Sequence, residues 1–242
     1  MNNYKLTVQY DGTEYCGWQI QNNARTVQQE ISSALEILTK EKINLIGSGR
    51  TDTGVHALGQ VASFATGRDI DEYKFVHSLN AILPRDIAIT GISRVDENFN
   101  ARFSAVRRSY IYLFAKNKSP FYYRFACSSR YVGDLGYLNH LSKYLSGEKD
   151  FTSFSRKNSE TRNKNCIIYD AHWKETQGFV IFYIEANRFL HGMVRTTIGS
   201  LLKASREKLG TEYLEEVLES RDREKAAEAA PARGLFLYKV KY

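Results

Sequence analysis

The sequence has 242 residues, 34 Lys plus Arg against 27 Asp plus Glu, and a formal net charge of +7. A charged fraction of 25% beside 43% apolar residues excludes wholesale disorder, and the length allows one or two domains with enough chain to bury a core. No apolar run approaches the ~18 residues of a membrane span, the alternating start MNNYKLTVQY lacks the pattern of a secretory signal, and Cys16, Cys127 and Cys166 form neither a disulfide framework nor a zinc spacing, which points to a reducing cytoplasm.

Leu6, Val8 and Tyr10 alternate with polar residues, so 4–10 is predicted as a strand ending at the turn pair Asp11-Gly12. Thr26 with Gln29 reads as a capping box for a helix with Val27, Ile31, Ala34, Leu35 and Leu38 on one face. Strands are predicted near 43–48 and 59–66. A helix over 71–82 carries Phe75, Val76 and Leu79 and stops before Pro84, and 86–95 returns as a strand.

The second half repeats this order. Residues 107–115 alternate as a strand, and Asp134 caps a helix bearing Leu138, Leu141 and Leu145. Strands at 166–175 and 179–186 flank the turn at Gln177-Gly178. A long helix over 188–206, an acidic helical insertion and the closing strand GLFLYKVKY complete the chain. Two successive β-α-β-β-α-β units predict a duplicated ferredoxin-like, RRM-like α+β fold, with halves at 1–105 and 106–242. RNA-recognition modules share that topology, but Gly178-Phe179-Val180-Ile181-Phe182 lacks their full aromatic motif and reads as an ordinary buried strand. Fold alone does not decide function.

Charge is polarised along the chain. Residues 98–130 hold no Asp or Glu and seven cations: Arg102, Arg107, Arg108, Lys116, Lys118, Arg124 and Arg130. Nine aromatics are interleaved among them. Cations for phosphates beside rings for bases is the composition of a nucleic-acid surface; the alternative is a solvated face whose rings turn into the core. A second acid-free stretch, 186–206, carries Arg188, Arg195, Lys203 and Arg206.

The most unusual local sequence is Gly47-Ser48-Gly49-Arg50-Thr51-Asp52-Thr53-Gly54-Val55-His56. Gly49 and Gly54 have the separation of a phosphate loop, but Val55-His56 stands where Lys-Ser/Thr is required, and no G-x-G-x-x-G is present. What remains is a glycine-flexed loop presenting an Arg and an Asp two residues apart. On the residues alone, Asp52 is either a turn-former or a functional carboxylate. His56 has no metal-ligand partner at the spacing a site needs and reads as structural.

The blocks YDGTEYCGWQ (10–19), GRTDTGVHALGQVASF (49–64), LPRDIAI (83–89), ARFSAVRRSYIYLF (101–114), DFTSF (150–154), NRFLHGMVRTTIGSLL (187–202) and APARGLFL (230–237) resemble, in order and over nearly the whole chain, the tRNA pseudouridine synthase A family. The resemblance implies two α+β halves joined in one mixed, mainly antiparallel sheet with a central basic cleft. It also implies a homodimer in which each tRNA touches both subunits. The implied activity is isomerisation of uridine to pseudouridine at positions 38, 39 and 40 of the anticodon stem-loop.

That reaction breaks the C1′–N1 bond, turns the detached uracil and joins C5 to C1′. The product is an isomer, so no redox cofactor, ATP or metal is required. Positive charge develops at the sugar carbon, as in glycoside cleavage, and an ionised carboxylate must face it. Asp52 resembles the family's catalytic aspartate; direct addition to C1′ and removal of the 2′ proton both remain open. Arg195, beside the apolar stripe Leu190, Met193, Val194, Thr197, Ile198 and Leu201, resembles the cation that keeps such a carboxylate ionised. Tyr110 resembles the tyrosine that packs on the target uracil, while Tyr112 on the same strand face reads as core. Arg50 resembles the residue that fills the space of the flipped nucleotide, and Arg102, Arg107 and Arg108 are expected to bind the RNA backbone. Thr53, Asn100 and Gly192, Thr196 and Thr197, and the linker at 155–166 depart from the family's common residues. The competing readings are a non-catalytic tandem RNA-binding module and a nucleoside-cleaving hydrolase using Asp52.

Overall fold

The computed structural model describes residues 1–157 and 161–242. The linker at 155–166 lies partly outside these residues. The chain divides into two compact units, Met1–Val106 with Leu237–Tyr242, and Arg107–Phe236.

In the first unit, β1 (Asn2–Tyr10) and α1 (Val27–Thr39) precede β2 (Ile46–Gly47) and β3 (His56–Thr66); α2 (Glu72–Ile82) and β4 (Ile87–Val95) follow. β1 pairs antiparallel with both β3 and β4, and β2 pairs with β3, so the order is β4-β1-β3-β2. That is the predicted β-α-β-β-α-β unit with its first and third strands in the centre. The period-2 alternation of β1 explains why: Tyr4, Leu6 and Val8 are buried, with Val27, Ile31 and Leu35 of α1 in the same core. Tyr4 stacks on Phe64 of β3 at 5.8 Å between ring centroids. Asp71 caps α2, its carboxylate accepting from Lys74 N at 3.1 Å.

Three local expectations fail in this unit. Thr26 is the N-cap of α1, but its hydroxyl makes no capping bond and is buried without a partner, so the predicted capping box is not formed. The strand expected at 43–48 shrinks to two residues because α1 side chains take the backbone: Ile43 N donates to Glu36 Oε1 at 3.3 Å, and Gln28 Nε2 donates to Leu45 O at 2.8 Å. β3 begins at His56 rather than 59.

In the second unit, β5 (Arg107–Ala115), β6 (Cys127–Ser128), α3 (Leu135–Tyr144) and β7 (Gly147–Asp150) precede β8 (Asn165–Glu175) and β9 (Phe179–Ala186); α4 (Met193–Glu207) and α5 (Thr211–Ser220) follow. The order is β5-β9-β8-β7, antiparallel throughout, with β6 parallel to β5. Its core is aromatic: Tyr112 meets Phe114 at 4.7 Å, Phe114 meets Trp173 at 5.8 Å, and Trp173 meets Phe182 at 4.7 Å. The buried Trp173 indole donates to Ser142 Oγ at 2.9 Å, satisfying its one polar atom. Asp134 caps α3, accepting from Tyr137 N at 2.7 Å.

The helix expected over 188–206 starts five residues late, at Met193. Gly192 at its N-cap has φ +75°, which a right-handed helix cannot pass through. The β7 edge strand was not foreseen, since Gly-Glu-Lys-Asp carries no apolar alternation. The acidic insertion is α5. The last strand, β10 (Leu235–Lys241), was assigned whole to the second half; from Leu237 onward it belongs with the first unit, beside β3. Among the described residues, no helix is long and apolar enough to cross a membrane.

Candidate active site

Residues 48–55 form a loop between β2 and β3, fastened at several points. Ser48 N donates to Val61 O at 2.7 Å. Ser48 Oγ donates to Gln60 Oε1 at 2.7 Å, and the Gln60 amide returns to Gly49 O at 3.0 Å. Thr51 is buried, its hydroxyl 2.8 Å from Tyr10 OH. Val55 N closes a turn onto Asp52 O at 3.1 Å. Asp52 is thus at the head of a turn, half-buried, directly after the fixed Thr51. Arg50, two residues earlier, is exposed and makes no hydrogen bond or ion pair among the described residues.

The segment 10–18 is the mould for this loop. Trp18 N donates to Thr51 O at 3.2 Å, and Gly54 N donates to Tyr15 O at 3.3 Å. Nδ1 of the fully buried His56 lies 3.0 Å from Gly12 N and 3.1 Å from Asp11 Oδ1, so His56 ties this segment to β3 as a structural residue. Close approach dictates the glycines: a Cβ on Gly12 would lie 2.0 Å from Val55 O, and one on Gly17 (φ +85°) 2.4 Å from Thr51 O. The mould is itself anchored to the start of β4. Asp11 N donates to Asp86 O at 2.9 Å, and Tyr15 OH donates to Asp86 Oδ1 at 2.6 Å beneath the Arg25 guanidinium, 4.6 Å from the ring centroid. Burial and the Asp86 carboxylate push the Tyr15 phenol above its ordinary range, so it remains a donor.

In the second unit, β5 presents Tyr110, Tyr112 and Phe114 on one face. Tyr110 is 8% exposed, sits opposite Ile184 in β9 and meets Phe189 edge-on at 5.1 Å. Tyr112 is core, as expected: its hydroxyl donates to Pro231 O at 2.8 Å and lies 3.1 Å from Cys127 Sγ. Burial, followed by the Cys127 thiol, raises its pKa. Phe189 reaches Tyr110 from a loop pinned at Asn187, whose Oδ1 accepts from Ile167 N at 2.9 Å and whose N donates to Ile167 O at 3.1 Å. Arg195, half-buried in the first turn of α4, donates from Nε to Ala230 O at 2.7 Å.

The sequence of the whole chain decides its family. The profile of a family described as tRNA pseudouridine synthase matches residues 6–104 and 141–242. The chain is 42% identical over 240 residues to tRNA pseudouridine synthase A of Brachyspira hyodysenteriae, covering 98% of this chain and 96% of that protein. It is 40% identical over 243 residues to the protein of the same name from Chlorobium phaeovibrioides, with 100% of each covered. The chain belongs to the tRNA pseudouridine synthase family. It is accordingly an isomerase acting on uridine in tRNA.

Departures from the resembled pattern have local explanations. Asn100 stands in the F-N-A-R segment as a turn cap, its Oδ1 accepting from Arg102 N at 2.9 Å and Phe103 N at 3.2 Å. Gly192 supplies the left-handed residue that starts α4. Thr53 is exposed on the Asp52 loop.

The expected RNA-binding arginines differ in environment. Arg107 pairs with the buried Glu185 at 3.0 Å and lies over the Tyr169 ring at 4.2 Å, so much of its charge is offset within the protein. Arg108 Nη1 donates to Asn187 O at 3.0 Å. Arg102 stays exposed beside Phe103. The two readings of the acid-free window each hold in part: its strand rings Tyr110, Tyr112 and Phe114 are buried, whereas Phe103, Phe121, Tyr122 and Tyr123 are exposed. Residue-level reading missed the supporting role of Tyr15, Asp86 and the 10–18 mould; the signal for it was the dense run of glycines and aromatics in YDGTEYCGW.

Proposed function

We propose that the chain converts uridine to pseudouridine at positions 38, 39 and 40 of the anticodon stem-loop of tRNA, with Asp52, Tyr110 and Arg195 carrying the chemistry. Asp52 is the ionised carboxylate that answers positive charge at C1′, and both open routes require it in that form. Arg195 is the cation that favours the ionised form. Tyr110 holds the detached uracil while it turns. Arg50 occupies the space of the flipped nucleotide, and Arg102, Arg107 and Arg108 bind RNA phosphates. The enzyme works in the cytoplasm as a homodimer whose subunits share each tRNA.

The observation that carries this reading is the immobilised Asp52 turn. Hydrogen bonds at Ser48, Gly49, Thr51, Gly54 and Val55 fix the backbone that carries Asp52, which supports a preorganised charge rather than a mere turn-former. The test uses tRNA carrying C5-tritiated uridine. Joining C5 to C1′ releases that tritium, whereas a binding module leaves it in place and a hydrolase frees uracil. Tritium release without free uracil, mapped to positions 38–40, is the expected result; free uracil or no release would overturn it.

A further inference from the structure

The turn that follows β5 takes no part in the chemistry above. Residues 117–125 leave Phe121, Tyr122 and Tyr123 at 80%, 45% and 60% exposure, three large rings in succession. The turn is ordered by its own bonds. Phe121 N donates to Ser119 Oγ at 3.2 Å, and Phe125 N and Ala126 N both donate to Tyr122 O at 2.9 Å. The Tyr122 ring rests edge-on against Phe179 at 5.0 Å. Arg124 Nε donates to Tyr123 OH at 3.0 Å, with the guanidinium 5.7 Å from the ring centroid. Lys118 is exposed and makes no ion pair or hydrogen bond among the described residues. Lys116, by contrast, is already paired with Glu175 across the sheet.

Adjacent exposed rings on one rigid turn are costly in water and mark an interaction surface. Flat rings interleaved with cations suit unpaired bases and their phosphates. We propose that Lys118, Phe121, Tyr123 and Arg124 form a second RNA contact that stacks unpaired bases of tRNA, separate from the residues assigned to catalysis. The proposal rests on tRNA being the substrate. Along β5, Ala115 lies five residues beyond Tyr110, about 17 Å at ~3.3 Å per residue, so the turn meets RNA away from the reacting uridine. A second copy of the chain fits this surface less well. A two-fold contact centred on the turn would bring Lys118 and Arg124 near their own counterparts, with no carboxylate within the turn to offset them. The turn also falls between the two stretches that the family profile matches, 6–104 and 141–242.

The test compares the full-length protein with Phe121→Ala/Tyr123→Ala for equilibrium binding of an unmodified tRNA transcript, saturated turnover and sedimentation. Loss of base stacking should weaken binding by about fivefold to a hundredfold. KM should rise in parallel, and saturated turnover should stay within about twofold. Phe121→Trp should retain affinity, and Lys118→Gln should lower the salt slope of binding by about one. Unchanged affinity in the double variant would overturn the proposal. So would a binding loss accompanied by a changed oligomeric state, which would make the turn a protein interface. If the wild-type protein binds tRNA but releases no tritium, the functional reading fails, while the affinity comparison still decides the turn.

Discussion

Arg195 and Ala230 are bonded to each other twice: the arginine Nε donates to the Ala230 carbonyl at 2.7 Å, and Ala230 N donates to the Arg195 carbonyl at 2.9 Å. The pair ties the first turn of α4 to the segment that leads into β10. The same segment is held elsewhere, since Ala227 N donates to Ser200 Oγ at 3.2 Å and a Cβ on Gly199 would lie 1.9 Å from Glu228 O. Tyr112 OH closes the far end on Pro231 O. The guanidinium is therefore oriented through its Nε by the backbone of this segment. This is the preorganisation that an electrostatic role needs.

Replacing Arg195 separates charge from shape. Lysine keeps the cation but loses the planar fork and the Nε donor, whereas methionine keeps much of the stem and no charge. Arg195→Lys should retain partial turnover and Arg195→Met almost none, with both variants folding normally. Any residual Met activity should shift to higher pH, because losing a cation raises the pKa of the carboxylate it favours. A phosphate contact would behave differently: affinity and its salt slope would fall while saturated turnover survived. Near-normal saturated turnover in the Met variant would remove Arg195 from the catalytic set.

Asp52→Asn should leave tRNA binding intact and lower saturated turnover at least about a thousandfold, since a neutral amide neither stabilises charge at C1′ nor adds to it. The side chain is half-buried and asparagine is its near-isostere, so the variant should fold. Tritium release at saturating tRNA measures the effect. A variant retaining a tenth of wild-type turnover would take the role away from Asp52.

Gly17 tests the mould rather than the carboxylate. Its φ of +85° and the 2.4 Å approach of a built Cβ to Thr51 O make alanine doubly unfavourable. Gly17→Ala should cost about 2 kcal/mol or more in stability. Since the oxygen it displaces belongs to the residue before Asp52, turnover should fall by more than tRNA affinity. Urea midpoints, affinity and tritium release together check this. Gly147→Ala, also at positive φ (+89°) but with nothing within 4 Å of a built Cβ, is the control for backbone strain alone and should leave turnover unchanged.

How much of this was legible in the sequence varies with the kind of signal. Elements with strong periodicity, such as β1, β5 and the Asp71- and Asp134-capped helices, appear where the pattern put them. The failures trace to tertiary competition. Glu36 and Gln28 of α1 take backbone groups that a strand at 43–48 would have used, and Gly192 stops α4 from extending back through the apolar Phe189 and Leu190. Of the site, the GRTD turn was visible as a glycine-rich oddity, but its ionisable member was not separable from a turn-former by spacing alone. Asp86 carries no local pattern, and Tyr15 is marked only as one ring within the run 10–18. They become interpretable only when segments 71 residues apart meet in a 2.6 Å hydrogen bond.

Glu41 gives the fold a pH dependence that can be read without the substrate. Its Oε2 accepts from Thr66 Oγ1 at 2.6 Å and from Gly67 N at 3.0 Å, joining the chain after α1 to the end of β3. The Thr66 hydroxyl first, and then the Gly67 amide, hold the carboxyl below its usual pKa. A carboxyl with a depressed folded-state pKa binds protons more readily when the chain unfolds. Its stabilising contribution is therefore complete above the ordinary Glu value of about 4.3 and is lost as the pH falls through the folded value. Glu41→Gln removes the ionised acceptor at every pH. The difference in urea midpoint between wild type and Glu41→Gln should be equal at pH 7 and about pH 6, and smaller at about pH 3, where the wild-type carboxyl is itself being protonated. A gap that stays constant down to the lowest pH, or that widens there, would mean that the Thr66 and Gly67 hydrogen bonds do not favour the charged form.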